Sequence, residues 1–138
     1  MPELTEIRVG TYVFNDWTTV TRGWCPLDDC AMTVRATVVS RPTETRAILD
    51  SGSKTLSSEV IERLRLHRRI SGGAHLQAER GTCLRRCLGV RVKPQIGETV
   101  SVIPVHTCVV TNLHDVLYGV RGGEVEVEWT VAARGKVR

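Results

Sequence analysis

The stretch EVEVEWTV at residues 124–131 alternates apolar and polar side chains without a break. A period of two belongs to a β-strand, because successive side chains leave opposite faces of the backbone. Val125, Val127, Trp129 and Val131 then share one face, and Glu124, Glu126, Glu128 and Thr130 the other, which predicts a half-buried strand. LYGVRGG precedes it, and Gly122-Gly123 can take the positive φ values of a tight hairpin, so residues 117–121 are expected to pair antiparallel with it. Other segments extend the same reading. EIRVGTYVF and AMTVRATVVS are β-branched and roughly alternating, RAIL is a short apolar run ended by Asp-Ser-Gly, and ETVSVIPVH follows the loop-like KPQIGE. One helix is expected over SSEVIERLRLH, with serines as N-caps and Val60, Ile61 and Leu64 on one side. RISGGAHLQAERGTCLRRC has neither a clear period nor matching punctuation, and no internal repeat occurs. The fold class expected is mainly β.

A chain of 138 residues suits one domain, here 1–138, with one core. No apolar run approaches the roughly 20 residues needed to cross a bilayer, and MPELTEIRVG lacks the apolar stretch of a secretory signal, so a cytoplasmic protein without a membrane partner is expected. Five cysteines, Cys25, Cys30, Cys83, Cys87 and Cys108, are odd in number and sparse, which points to free thiols or a metal site rather than a disulfide framework.

The charge is unevenly placed. Residues 63–93 hold nine Lys or Arg against the single acid Glu79, so this segment carries +8 while the rest of the chain carries −4. Such a patch can grip phosphates, or it can be a solvated face. Without a recognised binding fold, nucleic acid is the less favoured partner.

Two constellations can carry chemistry. Asp50-Ser51-Gly52 after three apolar residues matches the loop of a dimeric aspartic protease, whose second aspartate would come from a second copy. The tripeptide is common, however, and a turn in which Asp50 caps backbone and Gly52 supplies permissive dihedrals is the favoured reading. His106-Thr107-Cys108 offers an imidazole and a thiolate two residues apart. On a strand both would project to one side and could take the same divalent metal, leaving coordination positions open for water or a substrate oxygen. The alternative is a buried thiol beside a hydrogen-bonded histidine. His114-Asp115 could orient that site or cap a turn. Neither Cys25 with Cys30 nor Cys83 with Cys87 has C-x-x-C spacing.

RVGTYVFND, TVVSRPTETRAILDSGSKTLSS, VIPVHTCVVTNLHDVLYGVRGG and WTVAARGK, in this order, resemble the C-terminal domain of the D-threonine aldolase and D-serine dehydratase-like family. The resemblance implies a fold-type III pyridoxal phosphate enzyme, an antiparallel β-barrel-like C-terminal domain, and an N-terminal α/β barrel that this chain lacks. In that family the Asp50 loop is part of a pattern ending in Gly-Ser-Lys, not a protease dyad. The Schiff-base lysine lies on the barrel, so Lys54, Lys93 and Lys136 do not inherit its role. What carries over is the metal pair, His106 and Cys108, for zinc or manganese. The implied substrates are D-3-hydroxy amino acids, and the implied partner is a pyridoxal phosphate barrel, within a homodimer. Val105 stands where the family usually has Asn, and Val109 where Pro is common.

Residues 63–92 break the resemblance, and there the family usually shows Gly-Tyr-Gly or Gly-His-Gly, then Pro, then Glu-Glu-His. Reading residues 63–83 one base out of frame, with synonymous codons freely chosen, produces GYGFIVEYPEAHIYKLSEEH. A frameshift beginning near Arg63 and reversed near Lys93 therefore accounts for the arginine excess and predicts poor packing of the segment. The expected product is a lyase domain fragment that is inactive alone. The reading from another class is a non-catalytic module that binds polyanions through its basic patch.

Overall fold

The computed structural model describes residues 3–44, 46–57, 64–65, 73–78, 82–85 and 94–136. Two short antiparallel partners organise it around a long strand, because Val34, Ala36 and Val38 alternate with polar residues along β1 (Val34–Thr43) and need cover on one face. On one side β6 (Thr99–Val102) pairs with β1, setting Val34 opposite Val102 and Ala36 opposite Val100. On the other, β2 (Arg46–Leu49) sets Leu49 opposite Val38. These side chains, with Met32, Ala47, Leu56 and Val110, form the main buried cluster, and Phe14 and Leu117 pack against it. Register shifts flank Ser40 in the β1–β2 ladder, next to Pro42, which has no N–H to donate.

Among the described residues the sheet runs β3-β4-β5-β2-β1-β6 without closing, where the sequence reading expected a barrel-like closure. β3 (Leu64–Arg65), β4 (Gly73–Ala78) and β5 (Thr82–Arg85) fall inside the segment that showed no period. Their backbones nevertheless pair, β5 joining β2 from Arg46↔Arg85 to Ile48↔Cys83. The helix expected at SSEVIERLRLH is replaced at Leu64–Arg65 by strand, and most of its remaining positions lie outside the described residues. A short helix does precede it, α2 (Ser53–Leu56).

The N-terminal strand is absent. Residues 4–10 are irregular and Thr11–Val13 form a single 3-10 turn. Ile7 and Val9, at 76% and 64% exposed, have an alternating pattern but no sheet to receive it. Pro104 likewise cuts the strand expected over 98–106, which ends at Val102.

The hairpin is present, with β7 (Val116–Arg121) and β8 (Glu124–Thr130) joined through Gly122 and Gly123, both at positive φ. It forms a separate two-stranded sheet, and every residue of β8 is exposed rather than half of them buried. The register explains the mismatch with the alternation. Leu117 pairs with Trp129 and Gly119 with Val127, but a shift follows, and Val120 then pairs with Val125. Directly paired residues share a face, so Val125 sits with Tyr118 and Val120 on the face opposite Val127 and Trp129. Gly119 is required here because an added Cβ would stand 2.6 Å from Val127 Cγ1 and 2.7 Å from the Trp129 ring.

Candidate metal centre

Past Pro104 the chain turns into α3 (Thr107–Leu113), with His106 as its extended N-cap residue. The His106-Thr107-Cys108 triplet therefore opens a helix and does not lie on a strand, so the same-face argument from strand geometry does not hold. His106 is half-buried and Cys108 is exposed. Cys108 Sγ lies 3.7 Å from Thr11 Oγ1, and a Cβ at Gly10 would come within 3.6 Å of the sulfur, so the N-terminal segment borders the thiol. The buried-thiol alternative is excluded for Cys108 by this exposure.

The turn is held from the other end of the chain. Asp16, 1% exposed, caps α1 (Trp17–Thr21) by accepting from Thr19 N at 3.0 Å, while Thr19 Oγ1 accepts from Asp16 N at 2.9 Å. The second carboxylate oxygen accepts from Thr107 N at 3.3 Å, between the two candidate ligands. Trp17 N donates to Pro104 O at 2.9 Å, and Thr18 Oγ1 donates to Val105 O at 2.8 Å. Three successive residues, Asp16, Trp17 and Thr18, thus grip 104–107. Trp17, Cys30 and Ile103 form a second buried cluster beneath. Sequence reasoning missed Asp16; Asp-x-x-Thr starting just ahead of Trp17 is a local capping signal that could have found its role at α1, but its bond to Thr107 had none.

His114 is the C-cap residue of α3 and its Nε2 lies 3.2 Å from Thr55 O, tying α3 to α2, while Asp115 pairs with Arg134 Nε at 2.5 Å. Both work as fold contacts. Asp50 Oδ1 accepts from Thr37 N at 2.8 Å and Asp50 N donates to Thr37 O, which agrees with a turn that caps backbone. Gly52 is extended at φ −140°, so it does not supply the unusual dihedrals expected of it. Among the described residues no group of three or more His, Cys, Asp and Glu is placed to hold a metal ion. The side chains of the basic segment at residues 63–93 lie outside the described residues, as do those of Cys83 and Cys87. No described helix is long and apolar enough to cross a membrane.

Burial, reinforced by Cys25, Asp16 and Asp29 nearby, pushes the Cys30 thiol from 9.0 up to about 11. The folded state thus keeps a proton that the unfolded chain gives up earlier. Stability from this group is complete below pH 9 and is lost as the pH rises to about 11. Urea melts at pH 8 and 11 should show a smaller alkaline loss for Cys30→Ala than for the native chain. An equal loss in both would remove Cys30 from the cause.

The model of the serine dehydratase domain matches residues 31–120. The chain belongs to the serine dehydratase domain family. Within that family it is 34% identical over 142 residues to the D-threonine aldolase of an Arthrobacter species, covering 95% of this chain and 35% of the relative. An uncharacterized protein of Mycobacterium tuberculosis is 36% identical over 123 residues, covering 83% of this chain and 91% of its own. Among solved structures, the D-threonine aldolase of Filomicrobium marinum superposes with a TM-score of 0.76 at 31% identity, over 94% of this chain and 36% of that one. A D-threo-3-hydroxyaspartate dehydratase shares the fold at 22–23% identity and a TM-score of 0.74, over 92% of this chain and 38% of its own. It was solved with a cysteine changed to alanine, in a metal-free form, and with a histidine two positions earlier changed to alanine. The chain thus spans about a third of the length of the aldolases it matches.

Proposed function

We propose that this chain is the C-terminal, metal-binding domain of a pyridoxal phosphate- and divalent-metal-dependent lyase acting on D-3-hydroxy amino acids. The observation that carries the reading is the turn opening α3, where His106 and Cys108 stand two residues apart with the thiol exposed beside Thr11. The same His-x-Cys spacing appears in the pair of substitutions made in the related dehydratase, one of them metal-free. An imidazole and a thiolate suit zinc better than manganese, the harder alternative, and two protein donors leave positions for other ligands. When bound, the ion supplies Lewis-acid polarisation of the substrate's 3-hydroxyl. His106 and Cys108 would hold it, and Asp16 keeps their turn in place through Thr107 N.

The pyridoxal phosphate lysine belongs to an α/β barrel that these residues do not supply, so the domain is inactive by itself and works against a barrel partner, in a homodimer. Tyr118, Val120 and Val125, each about 60% exposed on one face of the hairpin, support a covered surface in the assembled enzyme. The arginine-rich segment at 63–92 is read as a frameshifted replacement of the family sequence, which resequencing of codons 60–95 checks.

Isothermal titration with Zn²⁺ and Mn²⁺ tests the metal reading. The native chain should take up one of them, and His106→Ala or Cys108→Ala should each weaken uptake by more than the roughly 10- to 100-fold that loss of a supporting residue costs. A folded native chain without uptake, or unchanged uptake in both variants, overturns it.

A further inference from the structure

Cys25 and Cys30 lie outside the candidate metal centre, and among the described residues they belong to no group of three or more side chains placed to hold a metal ion. Their positions are built with care all the same. Pro26 and the 3-10 turn Leu27–Asp29 fold the intervening residues back, with Asp29 N donating to Pro26 O at 3.2 Å and Cys30 N to Leu27 O at 3.1 Å. Cys25 is among the groups that hold the proton on Cys30, which puts the two thiols within reach of each other's charge across this loop. Cys30 is 3% exposed and packed with Trp17 and Ile103, whereas Cys25 is only half-buried.

We propose that Cys25 and Cys30 form an oxidisable dithiol, in which a low-molecular-weight disulfide installs an intramolecular Cys25–Cys30 disulfide. Access sets the order of events. Cys25, as its thiolate, attacks one sulfur of the oxidant, the oxidant's S–S bond breaks, one thiolate leaves, and Cys25 carries a mixed disulfide. Cys30 then gives its proton to solvent and attacks the Cys25 sulfur, forming the internal bond and releasing the second thiolate. Two protein thiols are oxidised by two electrons, and one small disulfide is reduced to two thiols. Because burial holds the proton on Cys30 up to about pH 11, the second attack is the slower step at neutral pH.

The site also reaches the cap of α1. Cys25 Sγ donates to Thr19 Oγ1 at 3.4 Å, and Thr19 is the partner of Asp16 in the cap of α1. Oxidation removes that donor.

The test treats the reduced full chain with oxidised glutathione, blocks remaining thiols with iodoacetamide and digests with trypsin. Cleavage after Arg22 and Arg35 puts both cysteines in one peptide, GWCPLDDCAMTVR. The expected product is that peptide lacking two hydrogens and carrying no alkyl group. Cys30→Ser should instead accumulate a glutathione adduct on Cys25, and Cys25→Ser should leave Cys30 unreacted. A native peptide that stays fully alkylated while Cys108 reacts overturns the proposal, and so does a lasting glutathione adduct at Cys25 in the native chain. Should the serine variants fold poorly, the native peptide decides alone.

Discussion

Trp17→Ala is expected to cost about 3–5 kcal/mol of folding stability, the range for deleting a large buried aromatic side chain. The ring is 8% exposed, and with Cys30 and Ile103 it makes the small cluster that underlies the 104–107 turn. Neighbours around a site this small cannot collapse into the space left by an indole, so the transfer loss and the cavity cost add. A domain of this size holds about 5–15 kcal/mol in total, so the variant should unfold at a far lower urea concentration or fail to fold. Trp24→Ala supplies the contrast. Trp24 is 67% exposed, its ring 4.9 Å from the Arg22 guanidinium, and its loss should stay within about 1 kcal/mol. Equal midpoints for the two variants in a urea titration would mean that the second cluster does not anchor the turn.

What was legible in the sequence follows from what period and turn chemistry encode. β1 was readable from its β-branched alternation, β2 as an apolar run ended by Asp50-Ser51-Gly52, and the β7–β8 hairpin from alternation joined to Gly122-Gly123. Alternation does not say whether a partner exists, and so EIRVGTYVF was read as a strand although no strand pairs with its described backbone. Nor does it reveal a register shift, which is why Val125 was grouped with Val127 and Trp129. The weakly patterned segment erred in the other direction. β4 and β5 pair there through backbone groups, which carry no side-chain signature.

The candidate ligands themselves were visible as a local spacing, but their conformation was not. Pro104 had to be taken as the end of a strand before His106 could be seen as a helix cap. The support was out of reach altogether, because Asp16 and Thr107 are 91 residues apart and nothing local in either position announces the other.

That support yields the second large effect. Asp16→Ala should cost about 2–4 kcal/mol, since it strips a cap and leaves two N–H groups, of Thr19 and Thr107, without their acceptor at a buried position. Asp16→Asn separates the two bonds. Its amide keeps one oxygen and gains a donor, so it can satisfy Thr19 N or Thr107 N but not both. Amide hydrogen exchange in the absence of metal should therefore accelerate at one of those two positions in Asp16→Asn, and at both in Asp16→Ala. If the Thr107 amide is the one released, metal uptake at His106 and Cys108 should weaken with it, although neither ligand has been touched. A structural cap alone would lower the melting midpoint and leave the affinity of the folded fraction unchanged. Protection at both amides in Asp16→Asn, with native stability, would show that the carboxylate does not join the two helices, and the grip on the turn would then fall to Trp17 N and Thr18 Oγ1.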